Sequence, residues 1–488
     1  MFEKFQKMFG AGNKEKPPPV KHQQAQPVAP SDLGEAVAAL DPDALPGSSE
    51  AIRVDTGMAS SDGQVTNILP VETHGARTDA SAFPLRFLGR QPVLDKTQRI
   101  IGYDLLLRNK VVRTPSKIDD SLAQMQDEML LRSIHGLNIE RLLGDNLAFI
   151  GLSAVMMDNP MLELLPRKGV VLVFKTAPEH VWWMVERMKH VASIGFQVAL
   201  DDFFYAPELD PILPFAKYIR MDVTKFNAMQ MGEQIVRIRK RGTPQFLANN
   251  VQTDEDFEAC RELGFEQFEG YYFAKMQPAL PPRLNSDRLR VMELLNLVTR
   301  HADIAELDLV FKRDATLSYR LLRYVNSPGC GLPQKLRSIS HALVLLGHDQ
   351  LYRWLTLLLF TAGKVDARSR ALLKNAMVRA RLTEVLGNKK LSDQDREGLF
   401  IVGIFSLLDV LLNMPMPEAL THLNLPEPIV RALVEHDGIY APFLMLAVAC
   451  EELDEIGIEQ LANACGLTVE EVNMAHVEAM VWAEDVGK

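Results

Sequence analysis

At 488 residues the chain is long enough for two or three domains of roughly 150 residues each. Its 47% hydrophobic and 24% charged residues are the balance of a water-soluble globular protein. Lys and Arg total 53 against 63 Asp and Glu, a net charge of −10, which argues against a nucleic-acid or anionic-membrane binder because neutralising phosphates takes clustered cations. The four cysteines, Cys260, Cys330, Cys450 and Cys465, are widely separated, which argues against a disulfide framework and a thiolate zinc site. The longest apolar runs, near Trp354–Phe360 and Phe443–Cys450, are shorter than the ~20 residues of a spanning helix. These features predict a cytoplasmic multidomain protein.

Residues 1–80 hold 8 of the 28 prolines, and no aromatic residue occurs between Phe9 and Phe83. Such a stretch buries too little surface to offset its ordering entropy, so a disordered arm is expected. Its start differs: Phe2, Phe5 and Phe9 recur at helical spacing, with Lys4 and Lys7 between them. This is the pattern of a weak anchor for a membrane surface or a partner groove, although ten residues make a poor helix in water.

From about 83 to 278, β-rich runs alternate with helical stretches. The runs are Ile100–Leu107, Leu147–Leu152, Val170–Phe174, Phe196–Leu200, Tyr218–Met221, Gln245–Ala248 and Gln267–Phe273. Pro178–Ile194 and Thr253–Leu263 read as helices, the second capped by Thr253. This alternation predicts a mainly parallel sheet closed into a barrel, with an open doubly wound sheet as the rival. No Gly-rich phosphate loop follows any strand. After the proline-rich segment 278–282 the period becomes helical. Stripes run through Leu289, Met292, Leu295 and Val298, then Leu317, Leu321, Leu322 and Val325, then Ile339, Ala342, Leu343 and Leu346, with Ser338 and Ser340 placed to cap. An all-helical domain over 283–488 follows.

A parallel barrel places its chemistry at the strand C-termini. Asp201 and Asp202 end one predicted strand and Asp222 another, a pattern suited to a hard cation. The competing reading of Asp201-Asp202 is a helix cap and turn. Other strand ends are poor in ligands, with Gly151, Val173, Asn249 and Asn250 there. The basic run Arg237, Arg239, Lys240 and Arg241 fits a solvated last helical turn better than an acidic-partner site. Trp182 and Trp183 are expected to pack, one of them at an interface. The pairs His348-Asp349 and His436-Asp437 read as helix-end polar contacts rather than metal sites.

Several blocks carry a resemblance. Arg90–Asp95, Gly102-Tyr103-Asp104-Leu105-Leu106-Leu107-Arg108, Ala199-Leu200-Asp201-Asp202-Phe203, Ile219-Arg220-Met221-Asp222 and Gly270-Tyr271-Tyr272-Phe273 resemble, in order and spacing, the EAL domains that hydrolyse cyclic di-GMP. The resemblance implies a TIM-like (β/α)8 barrel. It also implies departures from the family's site: Asp104 stands for its signature Glu, Gly151 for a ligand Asn, Val173 for a Glu, and Arg220 for the Lys that polarises water. Asn249 and Gln252 stand for two further glutamates. Asp201, Asp202, Asp222 and the phosphate-facing Arg108 match. On this reading the Mg²⁺ or Mn²⁺ site is lost, no cofactor is held, Arg108 is a vestigial phosphate contact, and the chain is not an enzyme.

Lys312–Leu317, Leu321–Ser327, Ser338–Ala342 and Leu345-Leu346-Gly347 resemble the HDOD domain, a non-catalytic relative of the His-Asp metal phosphohydrolases. Val402–Asp409 falls where a catalytic relative carries a histidine, and Ser406 and Leu408 supply none. An EAL-like barrel joined to an HDOD domain is a bacterial signalling architecture. The resemblance implies a non-catalytic scaffold acting through protein partners. The alternatives are a surviving cyclic di-GMP phosphodiesterase and a cyclic di-GMP sensor.

Overall fold

The computed structural model describes residues 87–108, 120–136, 139, 143–176, 181–277, 280–327, 335–363, 366–388 and 390–486. The expected arm and its Phe2, Phe5 and Phe9 stripe lie outside them. Strands β1 (Phe87–Asp95), β2 (Ile100–Arg108), β3 (Leu147–Leu152), β4 (Val170–Lys175), β5 (Gln197–Asp201), β6 (Ala216–Asp222), β7 (Gln245–Asn249) and β8 (Gln267–Glu269) close into a barrel in chain order. From β2 to β8 neighbours are parallel, whereas β1 runs antiparallel to both β2 and β8. The open-sheet rival is thereby excluded. β1 itself breaks the alternating strand pattern with Gly89, Arg90, Gln91 and Pro92, which hid it in the sequence.

Helices α1 (Asp120–Gly136), α2 (Val181–Ser193), α3 (Ala228–Arg239) and α4 (Asp254–Leu263) follow β2, β4, β6 and β7. The connections after β3 and β5 are 3₁₀ turns, one at Ala154–Asp158 and three with a proline in the first turn, at Pro160, Pro207 and the Leu213-Pro214 step. Proline suits a first turn but supplies no N–H for a longer helix. Thr253 caps α4 as expected, in a reciprocal box with Asp256. The last strand is shorter than the sequence run predicts. It stops at Glu269, because Gly270 turns at φ 151°, where a Cβ would run into the Val251 carbonyl, and Tyr272–Ala274 form a 3₁₀ turn.

Side chains alternate across each strand. Val93, Phe149, Val171, Val173, Ala199, Tyr218 and Leu247 fill the barrel interior, with Phe149 edge-on to Tyr218 at 5.4 Å. The opposite strand faces pack on the helices through Leu172, Phe174, Leu200, Phe246 and Phe268.

The second region is helical: α5 (Ser286–Thr299), α6 (Ile304–Lys312), α7 (Ala315–Val325), α8 (Ile339–Phe360), α9 (Ala367–Gly387), α10 (Asp393–Phe405), α11 (Leu408–Leu412), α12 (Met416–Leu420), α13 (Glu427–Val434), α14 (Ala441–Glu452), α15 (Glu455–Ala464) and α16 (Val469–Val486). They share one apolar core around Trp354, Phe360, Phe400 and Phe405. Met292, Leu295 and Val298 are buried there, whereas Leu289 faces solvent. Ser338 caps α8, Ser340 lies within it, and the helix kinks at Gly347.

The helical region closes on β1 and on the turn after β8. The Leu88 N–H donates to Asn473 Oδ1 at 2.9 Å, and Gly89 lies so close to Leu453 that a Cβ would strike it. Glu484 of α16 is buried between Arg90 (2.9 Å), Lys374 (2.5 Å) and the Tyr103 hydroxyl (3.0 Å). Arg368 of α9 pairs with Asp254 at 3.0 Å and donates to the carbonyls of Tyr272, Phe273 and Lys275. No helix among the described residues is long and apolar enough to cross a membrane.

Candidate functional site at the barrel mouth

The two-residue period carries the inner face of each strand to the C-terminal mouth. Two residues beyond Ala199 stands Asp201, beyond Tyr218 stands Arg220, and beyond Gln267 stands Glu269. Asp104 reaches the same level from β2. These four side chains meet. Arg220 Nη1 donates to Asp104 Oδ2 at 2.7 Å and Nη2 to Glu269 Oε1 at 3.2 Å, while Nε lies 3.4 Å from Asp201 Oδ1. Asp104 and Glu269 are fully enclosed, and Asp201 keeps a partly open edge at 19% exposure.

Burial works against the charge on Arg220, but Asp104, Glu269 and Asp201 outweigh it and hold the guanidinium protonated. Burial also pushes the Glu269 carboxyl well above its usual range, and Asp104 less so, with Arg220 opposing both. Two oxygens, Asp104 Oδ1 and Glu269 Oε2, have no partner if both groups are ionised. One proton held between the two carboxyls satisfies both oxygens, and the upward shift of each group favours its retention.

A second constellation forms the rim. Lys225 Nζ lies 2.5 Å from Asp202 and 3.9 Å from Asp222. The bond to Asp202 raises the lysine pKa. Burial raises that of Asp222, but hydrogen bonds from the Thr224 hydroxyl and N–H turn the net shift downward. Asp202 stands in the left-handed region at φ 50°, a conformation Asp tolerates. It caps no helix, since the next 3₁₀ turn starts from Ala206. The cap reading of Asp201-Asp202 therefore gives way to ion pairing. Beside it, Phe204 stacks on Phe226 at 5.5 Å.

The remaining positions lie around this centre. Gly151 leaves a gap, for a Cβ there would meet nothing within 4 Å. Val173 packs in the interior. Asn249 ends β7 and accepts from the Asn250 N–H at 2.7 Å, whereas Gln252 is exposed beside α4, its carbonyl taken by Lys275. Arg108 ends β2 opposite Phe87, and its side chain lies outside the described residues. Glu269 and Lys225 were not singled out from sequence. The legible signal for Glu269 is a lone carboxylate within the last β-run, directly before Gly270.

The resemblance of the strand-end blocks to EAL domains implies a divalent cation, but the carboxylates do not suit one as they are arranged. Asp104, Asp201 and Glu269 are engaged by Arg220, and Asp202 and Asp222 by Lys225. Among the described residues no group of three or more His, Cys, Asp or Glu side chains is placed to hold a metal ion.

Elsewhere, Arg237, Arg239 and Arg241 each face a carboxylate, Glu233, Glu266 and Asp210. Trp182 does not pack: it is 78% exposed on α2, while Trp183 carries the Arg187 guanidinium at 4.0 Å. In the helical region His348 contacts the Ala302 carbonyl at 3.1 Å, and Asp437 pairs with Arg431 at the end of α13.

Residues 282–436 match the HDOD domain family. Over 406 residues the chain is 26% identical to the cyclic di-GMP phosphodiesterase CdgJ of Vibrio cholerae, covering 82% of this chain and 93% of that protein. Over 409 residues it is 26% identical to YuxH of Bacillus subtilis, covering 82% and 98%. Among solved structures, the PaMucR phosphodiesterase in its c-di-GMP complex covers 38% of this chain and 94% of its own, at 18% identity and TM-score 0.33. A standalone EAL protein from Vibrio cholerae O395, in its c-di-GMP bound form, covers 40% and 93% at 21% identity and TM-score 0.32. The chain is a closed eight-stranded barrel followed by a helical region, of which residues 282–436 match the HDOD domain family. The expectation that it is not an enzyme is corrected: a relative that aligns over 82% of the chain is named a cyclic di-GMP phosphodiesterase.

Proposed function

We propose that this protein acts on cyclic di-GMP as a phosphodiesterase, with the C-terminal mouth of the barrel as the reaction site. The likeness to CdgJ across 82% of the chain, barrel and helical region together, carries the reading. The mouth adds chemical support. Phosphodiester hydrolysis needs positive charge beside the phosphate oxygens and a group to take the proton of the attacking water. Arg220 and Lys225 supply fixed cations, and Asp202 and Asp222 at the rim are carboxylates within reach of solvent.

The test is the purified full chain incubated with cyclic di-GMP, with Mg²⁺, with Mn²⁺ and without either, followed by chromatography of the linear dinucleotide. The expected result is linear product above the blank, falling at least ten-fold in Asp202→Asn, on the usual scale for a positioned acid or base. No linear product at micromolar protein under any of the three conditions overturns the reading.

A further inference from the structure

We propose that Arg220 is the resident cation of the barrel mouth, filling the cradle of Asp104, Asp201 and Glu269 and competing with any divalent ion for those carboxylates. The inference deepens the reading of the mouth as a reaction site, but its test involves no nucleotide. Three strands, β2, β5 and β8, bring one carboxyl group each to a guanidinium carried by a fourth, β6. Each nitrogen of the planar fork faces a different carboxyl, at 2.7, 3.2 and 3.4 Å.

A free ion competes poorly with this arrangement. Arg220 is tethered and never diffuses away, whereas Mg²⁺ must shed water for near-octahedral oxygen ligands. Displacing the guanidinium would also leave a charge that is only 10% exposed without partners. The weakest and most open contact is Asp201, which faces the mouth. The gap at Gly151 leaves room nearby for water or ligand. Substituting Arg220 by a neutral side chain therefore converts an occupied cradle into three unclaimed carboxyl groups.

The experiment titrates Mn²⁺ into full-length wild type, Arg220→Gln and Arg220→Gln/Asp104→Asn, reading free Mn²⁺ by electron paramagnetic resonance. Arg220→Gln is expected to bind Mn²⁺ at least ten-fold tighter than wild type, and Asp104→Asn is expected to remove that gain. Where Arg220→Gln does not fold by circular dichroism, Arg220→Lys decides, since one ammonium cannot face three carboxyls and several-fold tighter binding follows. Wild-type affinity equal to that of the folded variant overturns the proposal, as does a gain that survives Asp104→Asn.

Discussion

At the barrel mouth one guanidinium lies among three carboxyl groups, and at the seam between the two regions one carboxylate, Glu484, lies among two cations and a phenol. The clusters are near mirror images in charge and differ in access. At the seam Arg90 and Glu484 are 4% and 5% exposed, and Arg90 also stacks on Tyr103 at 4.0 Å, so the pair is almost wholly buried. The mouth keeps Asp201 and the Asp202–Lys225 rim open. The sealed cluster fixes two bodies against each other. The open one keeps charges where an ionic ligand can reach them, which a purely structural pair does not require.

The strongest challenge to this contrast is removal of the central charge at the mouth. Arg220→Met is expected to destabilise by about 3–5 kcal/mol, because it strands buried carboxyl groups. Adding Asp104→Asn and Glu269→Gln is expected to restore most of the loss, since the two fully enclosed partners are then neutral and only the partly open Asp201 keeps its charge. Urea unfolding of the single and triple variants measures both, and equal stability of the two would show that charge does not hold the cluster.

At the seam, Glu484→Gln leaves Arg90 and Lys374 without their carboxylate and is expected to cost about 2–3 kcal/mol. The unfolding transition is also expected to split, the barrel and helical region melting separately in calorimetry. A single unshifted transition would mean the seam is held by its apolar contacts alone.

A finer probe is His476, enclosed beside Arg90, where burial and then that cation lower its pKa to about 3. The unfolded chain takes up this proton near pH 6.5 while the folded protein does not, so stability falls as pH drops from about 6.5 toward 3. Between pH 7 and 5 the loss is about 2 kcal/mol, and His476→Asn is expected to flatten that part of the profile. Parallel profiles for wild type and variant would place the histidine in water.

Much of the fold is legible in the sequence. Thr253, the run Val170–Phe174 and the 3.6 stripes announced their elements, because local propensity and burial period agree there. β1 was not, since Pro92 and Arg90 contradict a strand in isolation and are accommodated only by pairing on both sides. The site was half legible. Asp201, Asp202 and Asp222 lie at strand ends by simple counting, whereas the role of Arg220 depends on β2, β5 and β8 converging from up to 116 positions away. A substitution read singly looks like a loss. Read with Asp104 and Glu269, it is one member of a matched set.

The grip of Arg368 bears on how freely the two halves can be traded. Its guanidinium satisfies three carbonyls of the turn that immediately follows Glu269, and it holds Asp254 at the head of α4. A chain cut near residue 280 would leave those acceptors on one fragment and the arginine on the other, with Glu484 parted from Arg90 as well. The halves are thus not interchangeable modules on a string. Shuffling either onto a new neighbour requires that neighbour to present a matching arginine or acceptor.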